Sequence, residues 1–79
     1  MRIQLNEAEM EKVAGGTVYI SRDYMQVCFS SLGEGYNLVN CEFKDARNLA
    51  DDLWEANQTL GDEAFDTLVR DEYFARGWI

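Results

Sequence analysis

The hydrophobic period of this chain changes once, and that change sets the fold class. From Thr17 to Phe43 apolar residues recur at every second position, in a run rich in β-branched and aromatic side chains. From Asp45 onward they recur three and four positions apart. Period two suits a sheet with one buried face, and the longer period suits helices with one apolar stripe. The expected fold is therefore α+β, strands first and helices after. No proline, repeat or low-complexity stretch interrupts the 79 residues, so residues 1–79 read as one domain. A chain of this length buries only about 60 to 65% of its unfolded surface, which is room for one modest core.

Three strands are expected, near Thr17 to Ile20, Tyr24 to Ser30 and Tyr36 to Phe43. Ser21-Arg22-Asp23 and Leu32-Gly33-Glu34-Gly35 are the turns between them, and their brevity implies an antiparallel meander. Alternation places Val18, Ile20, Met25, Val27, Phe29, Val39, Cys41 and Phe43 on one face. Tyr19, Tyr24, Gln26, Cys28, Tyr36, Leu38, Asn40 and Glu42 fall on the other. Cys28 and Cys41 then point apart, and a disulfide between them is not expected.

Helix grammar surrounds the strands. Leu5 to Gly16 predicts a short N-terminal helix, with Asn6 as N-cap, Glu9 at the capping-box position and Gly15 as the stop. Asp45 is the expected N-cap of a second helix through about Asn57, with Ala46, Leu49, Ala50 and Leu53 as its apolar stripe. A third runs from about Asp62 to Ala75 behind a Gly61 N-cap and ends at Arg76-Gly77. Phe65, Leu68, Val69 and Tyr73 supply its stripe, and Asp66 and Arg70 are spaced to pair on its surface. The two C-terminal helices are expected on one face of the sheet.

Charge narrows the function more than any motif does. The chain holds 15 acidic and 7 basic residues, a formal net charge of -8. Between Asn48 and Val69 every charged residue is acidic: Asp51, Asp52, Glu55, Asp62, Glu63 and Asp66. Such a field repels nucleic acid and anionic membranes and attracts a basic protein surface. Rows of carboxylates along helices can imitate a phosphate track, releasing counterions from a basic groove as nucleic acid does. Tyr19, Tyr24 and Tyr36, with Leu38, make a second candidate surface, since tyrosine is amphipathic and enriched at interfaces. That face is a candidate for a partner, and a homodimer is a separate expectation with no surface assigned to it.

Enzymatic chemistry finds little support. The chain has no histidine, and neither cysteine has an electropositive setting in the sequence, so no catalytic residue is assigned. Gly33 and Gly35 lack the following helix and the lysine of a phosphate loop, and the acidic run lacks the alternating ligands and central glycine of an EF-hand. No metal and no cofactor are expected. Two cysteines do not make a disulfide framework, no apolar run is long enough to span a membrane, and Met1 to Gln4 does not open a Sec signal peptide. These readings lead to an expectation of a soluble, cytoplasmic protein with reduced thiols.

Two resemblances add to this. Met1-Arg2 followed by Leu5-Asn6-Glu7-Ala8-Glu9-Met10-Glu11-Lys12-Val13-Ala14-Gly15-Gly16 closely resembles the double-glycine leader of Gram-negative microcins and other peptide bacteriocins. That resemblance covers the first sixteen residues and implies a helix that docks on an exporter's peptidase, with cleavage after Gly16 and secretion of the remainder. In size, acidity and hairpin-then-helix layout the whole chain looks like the small inhibitors that phages make against bacterial defence, such as anti-CRISPR proteins and DNA-mimic anti-restriction proteins. This second likeness implies a non-enzymatic viral protein in the host cytoplasm that occupies a basic surface on a larger protein or nucleoprotein complex.

Overall fold

The computed structural model describes residues 11–13 and 17–79. The described chain is α+β, with four antiparallel strands followed by two helices. The strands are β1 (Glu11–Val13), β2 (Val18–Ser21), β3 (Gln26–Phe29) and β4 (Glu34–Asn37), paired in sequence order. The helices are α1 (Phe43–Ala56) and α2 (Asp62–Ala75).

Two expectations are corrected here. The sheet has four strands instead of three, because Glu11–Val13 pairs with β2 as a strand where helix was expected. The rest of the expected N-terminal helix, residues 5–10 and 14–16, lies outside the described residues. Lys12 and Val13 explain the outcome over the described part: alternation turns Lys12 outward and buries Val13 opposite Val18. A pairing that brings an apolar side chain into the core outweighs a modest helix propensity.

Register decides the faces. The pairs Val13↔Val18, Val18↔Phe29, Ile20↔Val27 and Val27↔Tyr36 stack on one side, and Lys12↔Tyr19, Tyr19↔Cys28, Cys28↔Gly35 and Gln26↔Asn37 on the other. Tyr36 therefore shares the helix-covered face with Phe29, not the face of Tyr19. Leu38 is likewise buried, and Val39 is 49% exposed, the reverse of the expected alternation. The phase of β4 is set by the hairpin loop Ser30 to Gly33, where Gly33 adopts φ 66° and Leu32 N–H donates to Phe29 O at 3.0 Å. A shift of one residue exchanges every side chain between faces. The expected third strand also stops early: Asn40 turns into the left-handed region at φ 57°, so Cys41 leads into α1 and Phe43 opens it instead of continuing the sheet.

α1 begins one turn earlier than expected. Glu42 is its N-cap, and Asp45, placed in the first turn, accepts the Glu42 N–H at 3.1 Å. Phe43, Ala46 and Ala50 are buried, with Leu49, Leu53 and Trp54 packed at the edge of the core. α2 presents Phe65, Val69 and Tyr73 to the same core. Trp54 meets Phe65 edge to face at 5.4 Å, and the Tyr73 hydroxyl donates to Ala46 O at 2.5 Å. The late part of α1 thus lies by the early part of α2, and the early part of α1 by the late part of α2: the helices are antiparallel. α2 ends as its sequence requires. Gly77 takes φ 75°, Gly77 N–H donates to Phe74 O, Trp78 N–H to Tyr73 O, and the Trp78 and Tyr73 rings meet at 5.4 Å, the polar and apolar halves of a Schellman termination.

Candidate partner-binding surface

The antiparallel helices gather the acidic run at one end of the molecule. Asp51, Asp52 and Glu55 occupy the second half of α1, and Asp62 and Glu63 open α2 across the 57–61 loop. Asp52, Glu55, Asp62 and Glu63 are exposed and Asp51 is half-buried. Asp62 and Glu63 sit at a helix N-terminus, where the dipole favours them. The acids of α1 do not: Glu55 lies in the last turn, which has no basic residue, facing the negative end of the dipole. Arg47 approaches Asp51 at 3.9 Å with both side chains about half exposed, a weak surface pair. Glu55 thus places an exposed charge where the end of α1 would prefer a cation.

Asp66 does not belong to that surface. It is completely buried. Its carboxylate accepts Thr17 Oγ1–H at 2.6 Å, Ser31 Oγ–H at 2.5 Å and Ser31 N–H at 3.2 Å, tying α2 to the start of β2 and to the β3–β4 loop. The expected Asp66–Arg70 surface pair is replaced accordingly. Arg70 reaches across to Glu34 on β4 at 3.0 Å and to Asp71 at 3.5 Å. Spacing carried the signal for Asp66, since it lies three and seven residues before Val69 and Tyr73 on the buried stripe.

Glu34, Tyr36, Arg70 and Phe74 form a second polar and aromatic cluster beside β4. Tyr36 Oη–H donates to Glu34 Oε1 at 2.7 Å, and the same oxygen accepts Arg70 Nη1–H. The Tyr36 and Arg70 hydrogen bonds hold the Glu34 carboxyl below its usual range, while burial followed by the Glu34 hydrogen bond raises the Tyr36 phenol. Tyr36 also packs edge to face against Phe29 at 6.1 Å and Phe74 at 5.5 Å. Sequence reasoning missed this cluster because Glu34 and Arg70 are 36 residues apart and meet only once β4 and α2 are packed together.

The three candidate tyrosines are not brought together. Tyr19 lies half-buried on the face away from the helices, Tyr36 on the helix face, and Tyr24 in the β2–β3 turn at 60% exposure. Both cysteines are free thiols. Cys28 lies on β3 on the face away from the helices, and burial, with Asp45 nearby, raises the Cys41 thiol. Among the described residues no group of three carboxylate or thiol side chains could hold a metal ion, and no helix is long and apolar enough to cross a membrane. Comparison with protein-family models, curated proteins and solved structures finds no match.

Proposed function

We propose that this protein is a non-enzymatic acidic interaction protein that inhibits a larger protein or nucleoprotein complex by occupying its basic, nucleic-acid-binding surface. The observation that carries the reading is the acidic end of the helical pair: Asp51, Asp52, Glu55, Asp62 and Glu63 converge there from both helices, with no Lys or Arg anywhere between Asn48 and Val69. Repulsion within that group, and the unfavourable position of Glu55 against the α1 dipole, destabilise the fold slightly and strengthen the outward field. A field of this sign accelerates encounter with a basic surface, and displaced counterions add affinity as they do for nucleic acid. On this reading the protein acts in the cytoplasm of its host in the manner of phage-encoded anti-CRISPR or DNA-mimic proteins. It needs no cofactor and binds neither nucleic acid nor membrane directly.

The alternative is an exported, bacteriocin-like precursor cleaved after Gly16. Removing residues 1–16 would take β1 from the sheet and Val13, 5% exposed, from the core. That burial supports the reading in which residues 11–13 belong to the working domain. Recovery of the protein from its native host by pull-down, with intact mass measured on the bait and its companions, tests both readings together. An acid-inhibitor role predicts a basic partner and an uncut chain; a chain that starts at Thr17 in the culture medium would establish the alternative.

A further inference from the structure

The end of the molecule opposite the acidic group carries an exposed apolar surface. Leu38 N–H donates to Met25 O at 2.7 Å, which sets the Tyr24–Met25 turn against the segment after β4, and Val39 N–H donates to Trp78 O at 2.7 Å. Tyr24 and Val39 are 60% and 49% exposed, with the half-buried Trp78 and Ile79 alongside. Asn40 Nδ2–H donates to Gly77 O at 3.1 Å, so the backbone under this patch is held in place. Its ordering entropy is already lost before any contact is made.

Charge decides what can cover it. Around the patch the charged residues come in opposite-sign neighbours: Arg22 follows directly into Asp23, Lys44 pairs with Glu42 at 3.4 Å, and Arg76 pairs with Glu72 at 3.7 Å. Asp45, which accepts the Glu42 N–H, is exposed beside Lys44 and leaves at most a small negative excess at this end. A basic partner is drawn to the other end, where acids outnumber cations: among the described residues Asp51 alone of that group has an ion pair, with Arg47 at 3.9 Å. Two copies of a chain with net charge -8 can approach only where the local field is weak, and this end is such a place. Along α1 the acidic group begins at Asp51, roughly 12 Å from Phe43, and along α2 Asp62 lies roughly 20 Å from Ala75; both separations exceed the Debye length of about 8 Å at physiological ionic strength.

We propose that Tyr24 and Val39 form the centre of an isologous, two-fold contact between two copies of this chain. A two-fold contact repeats the same patch on both sides, so Tyr24 and Val39 of one copy meet those of the other and the paired charges form its rim. The dimer points its two acidic ends in opposite directions and offers a basic partner two binding ends. The contact does not depend on what those acidic ends bind.

Sedimentation equilibrium from low to high micromolar protein tests this, with the wild type, Val39→Asp, Tyr24→Asp and the acidic-end variant Asp52→Lys/Glu55→Lys compared at physiological salt. The wild type passes from monomer to dimer over that range. Val39→Asp and Tyr24→Asp each weaken the dimer at least about tenfold, as a central contact residue does, with unchanged circular dichroism, and the acidic-end variant keeps it. A wild type that stays monomeric, or a dimer that both patch variants leave intact, would overturn the proposal.

Discussion

Replacing Asp66 should unfold much of the margin by which this domain is stable. Its carboxylate accepts three hydrogen bonds with no exposure to solvent, and they join three separate segments: Thr17, Ser31 and α2. A hydrogen bond to a charged group contributes about 1.5 to 3 kcal/mol net, and a buried donor left without an acceptor costs about 1 to 3 kcal/mol. The contributions do not add fully, because Thr17 and Ser31 are themselves half-buried and their hydroxyls can rotate toward water. Asp66→Ala is therefore expected to lose about 3 kcal/mol, out of a total of about 4 to 12 kcal/mol for a chain of 79 residues. Asp66→Asn keeps the shape and one acceptor, so Ser31 retains its bonds while the Thr17 hydroxyl reverses to accept from the new amide; about 1 to 2 kcal/mol is expected. Urea titrations followed by circular dichroism read both values, with the slope unchanged if only stability moves. An Asp66→Ala variant within about 0.5 kcal/mol of wild type, the range of an ordinary surface substitution, would refute the burial and the network derived from it.

Three further outcomes follow from the same contacts. Burial raises the Tyr73 phenol above its ordinary range, so stability is full below the unfolded tyrosine pKa of about 10 and falls as pH rises beyond it; Tyr73→Phe should flatten that alkaline limb in melts taken above and below pH 10, while losing about 1 kcal/mol at neutral pH with the Ala46 hydrogen bond. Glu34 is shifted the other way, so its contribution is present above the usual glutamate pKa and is lost as pH falls through its lowered value; Glu34→Gln should remove part of the acid limb, and an unchanged acid titration would contradict the Tyr36–Glu34–Arg70 cluster. Gly77→Ala meets no atom within 4 Å of the added Cβ, so its effect isolates the left-handed backbone at φ 75° and should be about 1 to 2 kcal/mol in the same urea assay.

How much of this was legible beforehand varied by element, for physical reasons. Both C-terminal helices could be read because a 3.6 period sustained over 14 residues, bounded at α2 by Gly61 and Gly77, has few competing interpretations. The inward set Val18, Ile20, Val27 and Phe29 was equally plain, since strict alternation survives any change of partner. Alternation alone puts Tyr36 and Leu38 on the wrong faces because strand phase depends on which residues close the hairpin, and Gly33 and Gly35 both qualify by sequence. Glu11–Val13 carries helix grammar locally and becomes a strand only because β2 offers it an edge, a tertiary effect no local window contains. The charge of Asp66 suggests exposure, yet the residue is buried. Its position on the Val69–Tyr73 stripe points to that burial, and two hydroxyl residues far away in sequence made the burial affordable. The remaining acids lie where the helix faces placed them.

The central claim concerns those exposed acids, and association kinetics with the captured partner test it most directly. Wild type and Asp52→Lys/Glu55→Lys are compared over a salt titration, with circular dichroism confirming that both fold. Both substituted residues are exposed, so stability should change by no more than about 0.5 kcal/mol. If the acidic end steers binding to a basic surface, the variant associates more slowly and the dependence of its rate on salt flattens. An unchanged association rate and an unchanged salt slope would contradict the account.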